Sequence, residues 1–116
     1  MSAGERLPGT PIPMHTWIGA GGLTIAGDTW GYFRDVVDSR HHLPLNYIQT
    51  KPTRVIGDYT STTDIALYLI GVVSAHDLDL IDYASAVERV RQTLQQLQQL
   101  PKWTGFLYNY YSTTNL

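Results

Sequence analysis

The stretch from Ile65 to Ala75 reads Ile-Ala-Leu-Tyr-Leu-Ile-Gly-Val-Val-Ser-Ala and contains no charged residue. Wound into a helix, it places apolar side chains on every face, and a helix apolar all round must be covered all round. Any fold for this chain has to supply that cover. Ser61, with Asp64 three positions later, makes a capping box in which the short Asp replaces the usual Glu. The spacing therefore predicts a helix over about 61–76. The apolar run Ile65–Val73 is roughly half of what a bilayer span requires, so it predicts no membrane span.

Two further helices flank it. Asp28 reads as an N-cap, and Trp30, Phe33, Val36 and Val37 recur at helical spacing, predicting a helix over 28–38 with Trp30 and Phe33 in the core. After the acidic turn His76–Asp82, a helix over 83–100 carries the stripe Val87, Val90, Leu94, Leu97 and Leu100. Its other faces hold Glu88, Arg89, Arg91, Gln95, Gln96, Gln98 and Gln99, and Pro101 stops further winding. Residues 1–27, rich in Gly and Pro, read as an irregular arm; Ser39–Tyr59 reads as a long connection, and Lys102–Leu116 as an aromatic, turn-like tail. Gly19-Ala20-Gly21-Gly22 is no dinucleotide fingerprint, because the third glycine is out of place and no strand precedes it.

This order predicts an all-α chain, with an arm at 1–27 and one helical unit over 28–116. A fully buried helix beside an amphipathic one is the alternation of a two-layered ring of helical hairpins. Both long segments then fall on the rim that holds the N-terminus of the buried helix, where free N–H groups and partial positive charge favour a polar pocket. The alternative is a plain three-helix bundle, but two neighbours cannot cover a helix apolar on all sides.

Several functions are excluded. There is no cysteine, hence no thiolate metal site or thiol nucleophile. A net charge of -2 offers no basic surface for nucleic acid. His41 and His42 are adjacent and His15 and His76 isolated, so no metal site is expected; no cofactor motif or nucleophile elbow is present either. The unusual feature is eight Tyr and three Trp against two Phe, side chains that combine a flat apolar face with a polar tip.

Five blocks, in order, resemble a known family. They are Thr29-Trp30-Gly31-Tyr32-Phe33, Leu43 to Gln49, Thr60 to Leu69, Ser74-Ala75-His76-Asp77-Leu78, and Gly105 to Thr113. Together they resemble the glucoamylase-like domain of cyclic β-1,2-glucan synthases, which is similar to endo-β-1,2-glucanases. A related uncharacterised family shares parts of the pattern. Thr62, Asp64, Tyr110 and Ser112 depart from it, and Ser112 stands where the family has a carboxylate. The resemblance implies a partial α/α toroid, of which this chain would hold the first hairpin and a half. The remainder of the same domain would be its partner, and a glucan its substrate.

Glycoside hydrolysis needs two facing carboxylates, one a general acid and one a base or nucleophile. On this reading Asp64 is the candidate catalytic residue, competing with its role as a capping acid; Asp58 is the runner-up. Tyr108, Asn109, Tyr110 and Tyr111 mix stacking faces with an amide and form the main candidate sugar contact. The competing reading packs them over the last helix. Asn46, Tyr47 and Gln49 are a secondary contact, Ser61 joins them at the helix start, and Trp103 suits either site or core. The leading expectation is a fragment of a glycoside hydrolase-like domain acting on β-glucan, inactive by itself. A non-catalytic carbohydrate-binding or scaffold module is the alternative, and a small helical interaction protein a third.

Overall fold

A computed structural model describes residues 14–116. Three helices form its frame: α1 (Met14–Asp35), α2 (Thr62–Asp77) and α3 (Tyr83–Gln99). Between and after them run six short strands: β1 (Ile48–Gln49), β2 (Val55–Ile56), β3 (Tyr59–Ser61), β4 (Lys102–Trp103), β5 (Phe106–Leu107) and β6 (Tyr110–Ser112). They pair antiparallel as β1–β2, β3–β6 and β4–β5. The architecture is therefore mixed α/β, which corrects the all-α, toroid expectation. The long connection and the tail run beside buried helix ends, where backbone N–H and C=O groups need partners. They find them within themselves, as β1–β2 and β4–β5, and in each other, as β3–β6.

The capping residues fix α2 and α3 where the spacing places them. The Ser61 hydroxyl accepts from the Asp64 amide at 3.1 Å and donates to the Asp64 carboxylate at 2.8 Å. The shorter Asp thus closes the box through the hydroxyl. α2 ends in a Schellman motif: Leu80 N–H donates to Ala75 C=O at 2.8 Å and Asp79 N–H to His76 C=O at 3.0 Å, with Asp79 at positive φ. Asp82 then caps α3, accepting from the Ser85 amide at 2.7 Å. Hydrogen bonds from the Ser85 side chain and backbone hold the Asp82 carboxyl below the ordinary carboxylate range. At the far end, Lys102 Nζ donates to the Leu97, Gln98 and Leu100 carbonyls, satisfying orphan acceptors at the helix C-terminus. Ser61→Ala should lower stability by about 0.5–2 kcal/mol, read as a shift in the urea midpoint. An unchanged midpoint would mean that the box holds nothing.

α1 departs from expectation. It begins at Met14, not Asp28, so residues 14–27 of the expected arm are helical, and Asp28 lies inside the helix rather than at its cap. Gly19 interrupts the winding with φ 68, a conformation open to glycine. Residues 1–13 of the arm lie outside the described residues.

Two clusters make the core. Trp30, Tyr68, Val72, Ala75 and Ala86 form one, with Phe33, Val37, Leu80, Ile81 and Val90 against it. Arg89 lies over the Trp30 ring at 5.2 Å and donates to the Tyr68 hydroxyl at 3.2 Å. Leu43, Ile65, Leu100 and Tyr111 form the second, near the start of α2. The connection after α1 is pinned rather than loose: Asp38 accepts from the Arg40 and His41 amides, Thr93 donates to His42 C=O at 2.8 Å, and Leu43 is fully buried.

The expectation that α2 is buried all round is corrected too. Ile65, Tyr68, Val72 and Ala75 face inward, while Leu67, Ile70 and Val73 remain 51%, 62% and 54% exposed. The α3 stripe is likewise only half used. Ala86 and Thr93 are buried and Leu100 caps the second cluster, whereas Val87 and Leu94 face out.

Candidate functional site

The site is built where α2 begins. β3 leads directly into the helix, and β6 pairs with it in the register Tyr59↔Ser112, Thr60↔Tyr111, Ser61↔Tyr110. Successive strand side chains point to opposite faces. Thr60 and Tyr111 accordingly turn inward and are buried, while Tyr59 and Tyr110 turn out. As diagonal neighbours across the ribbon, the Tyr59 and Tyr110 rings meet edge to face, with centroids 5.6 Å apart and planes at 78°. A shallow cleft lies between them. Tyr110 is 67% exposed.

The connection before β3 closes one side. Asn46 N–H donates to Tyr59 C=O at 3.0 Å, and Gly57 N–H to Tyr47 C=O at 2.9 Å. The Asn46 side-chain oxygen packs directly against Gly57, leaving no room for a Cβ there. That oxygen is buried without a hydrogen-bond partner. On the α1 side, a hollow is lined by Tyr32, Ile48, Thr50 and Arg54. Burial, and secondarily the Asp64 carboxylate, raise the Tyr32 pKa above the ordinary phenol value. Tyr32 therefore stays a hydroxyl donor through neutral and mildly alkaline pH, and the rim runs from β1 past Tyr32 and Asp64 to Tyr59 and Tyr110.

The residues singled out from the sequence divide accordingly. Ser61, Asp64 and Tyr110 are brought together at the α2 start, with Asn46 tied to Tyr59 behind them. Tyr108 and Asn109 are exposed between β5 and β6, and the Tyr108 ring meets Tyr111 edge to face at 6.1 Å. Gln49 is exposed and pairs with Val55 on the separate β1–β2 ribbon. Tyr111 is not available as a surface contact. It is 5% exposed; its hydroxyl donates to Pro101 C=O at 2.7 Å and accepts from Tyr108 N–H at 2.9 Å. The sequence reading missed Tyr59 and Tyr32. Tyr59 lies in a three-residue strand that ends at the cap Ser61, too short to show a period. Among the described residues, no group of His, Asp and Glu could hold a metal ion.

A family model described as a protein of unknown function, DUF3131, matches residues 24–116. The chain belongs to the DUF3131 family. The DUF3131 stretch takes in all three helices except the first turns of α1, and every strand of the rim. The chain is also similar to the cyclic beta-(1,2)-glucan synthase NdvB of Rhizobium meliloti (strain 1021), 36% identical over 93 residues. That match covers 79% of this chain and 3% of the relative, so the chain spans a small part of the protein it matches. The resemblance drawn from the residue blocks thus holds at the level of a glucan-synthase relative, and the family matched is DUF3131.

Proposed function

We propose that the α2-start rim of this DUF3131 chain binds β-glucan, of the β-1,2-linked kind, as part of a glucan-processing protein. The observation that carries the reading is the Tyr59–Tyr110 pair, exposed beside a capped helix N-terminus. A pyranose offers apolar C–H faces and a belt of hydroxyls. Two phenol rings, the Tyr32 hydroxyl and the Asn109 amide supply the mixture of faces and polar groups that such a ligand needs. The named activity of the relative at 36% identity agrees with the ligand class. Asp64 fits a holding role better than a catalytic one, because its carboxylate accepts the Ser61 hydroxyl within the capping box. Binding, rather than hydrolysis by this segment, is the function proposed.

Tyr110→Ala should weaken binding of β-1,2-glucan oligosaccharides about two- to tenfold, the equivalent of ~0.5–1.5 kcal/mol for one aromatic stacking contact. Tyr110→Trp should retain it. Calorimetric titration with the melting midpoint measured in parallel checks this. A lowered midpoint with unchanged affinity of the folded protein would assign Tyr110 to packing.

A further inference from the structure

The β4–β5 hairpin presents an anomaly that neither the core nor the rim accounts for. Trp103 and Phe106 lie opposite each other across it, so both side chains stand on one face of the ribbon. They are 66% and 70% exposed, and among the described aromatic residues neither takes part in a ring–ring contact. Two large rings exposed over about two-thirds of their surface gain little from burial on folding.

Their support, in contrast, is rigid. Thr104 and Gly105 both adopt positive φ, 47° and 89°, as a tight two-residue hairpin turn demands. Lys102 is locked onto three carbonyls at the end of α3. The buried Tyr111 hydroxyl joins Pro101 C=O to Tyr108 N–H, the residues on either side of the hairpin. The base is thus stapled to the core while the tip rings project. A platform ordered before its ligand arrives loses little entropy on binding.

We infer that Trp103 and Phe106 form an accessory stacking platform for a neutral, extended saccharide. The inference rests on the glucan reading above and extends it to longer chains. The one charge on the hairpin, Lys102, is engaged on helix carbonyls, so the face offers no ionic group for an anionic ligand. Tyr110 follows Phe106 by four positions, and an extended backbone of that length reaches at most about 14 Å. An oligosaccharide of several glucose units is therefore long enough to reach from the Tyr59–Tyr110 cleft to the hairpin.

The test titrates the whole chain with β-1,2-linked gluco-oligosaccharides of increasing length. Trp103→Ala should weaken binding of the longer oligomers about three- to tenfold and leave the disaccharide unchanged, whereas Tyr110→Ala weakens both. Trp103→Phe should keep most of the affinity. Trp103 fluorescence, isolated as the difference between wild type and Trp103→Phe, should gain protection from acrylamide as long oligomers bind. Circular dichroism confirms that each variant is folded. If Trp103→Ala binds every length like wild type, the platform is refuted while the glucan reading stands. If wild type binds no oligomer, both fall. Protection of Trp103 that follows protein concentration instead of glucan assigns the rings to a protein contact and overturns the platform.

Discussion

Tyr111→Ala should remove about 3–5 kcal/mol of stability, the cost of emptying a large aromatic site in a packed core. Tyr111 sits in the cluster with Leu43, Ile65 and Leu100, where the connection after α1, the start of α2 and the end of α3 converge. Tyr111 joins separate pieces of chain through both ring and hydroxyl: the ring packs in the core, and the hydroxyl bridges both ends of the β4–β5 hairpin. Tyr111→Phe keeps the ring and removes the bridge. It leaves a carbonyl and an amide without their partner and should cost about 1–3 kcal/mol. The two variants thus separate packing from hydrogen bonding. Urea unfolding at fixed protein concentration measures both, and amide exchange at Tyr108 should quicken in the Phe variant. A Phe variant as stable as wild type, with Tyr108 exchange unaltered, would show that the bridge carries no stability.

Tyr111 also marks the limit of what the sequence discloses. The four residues Tyr108–Tyr111 look alike as a cluster, yet one is core and the others are surface. Only pairing decides between them, since in a strand alternate side chains part company. The partner strand lies some fifty positions earlier, at Tyr59–Ser61, and two- or three-residue strands carry too few residues to show a period. Hence the mixed α/β character was not legible. The β4–β5 hairpin, too, was legible only as part of an aromatic, turn-like tail. α2 and α3 were legible almost to the residue because their ends are chemical, with Ser61 and Asp82 as caps and Pro101 as a stop. The early part of α1 was not, because Gly19, Gly21, Gly22 and Gly27 all argue against a helix by propensity. The two long segments do meet at the start of α2, where β3 pairs with β6, though in a mixed α/β fold and not on the rim of a toroid. The two outward rings of that ribbon were only half found: Tyr110 was named and Tyr59 was not.

The largest physical demand of the sequence, cover for α2, is met on one side only, and that should dominate behaviour in solution. Leu67, Ile70 and Val73 form an exposed ridge. The hollow beside it, between α1 and α2, is lined by Ala26, Thr29, Phe33, Gly71 and Leu78 among others and contains no charged residue. On the far side, Tyr83, Val87 and Leu94 continue the apolar surface along α3. Side chains half exposed on such a ridge each stand to gain about 1 kcal/mol when covered, half of what full burial of an aliphatic residue yields. Contiguous apolar patches of this kind are rare on monomers and mark contact surfaces. A ridge flanked on the α1 side by an uncharged hollow is complementary to itself, because the ridge of one copy can seat in the hollow of another. The chain by itself should therefore associate with a second copy through α2, with a sedimenting mass at least twice that of the monomer at tens of micromolar. Ile70→Glu would force a carboxylate into that contact, and an unpaired charge is expensive to desolvate. This variant should sediment as a monomer with its helix content intact, since Ile70 supports no described core cluster. A wild-type chain that is monomeric at the same concentration, with a sharp two-state melt, would show that the α2 ridge is tolerated in water and would remove the contact from consideration.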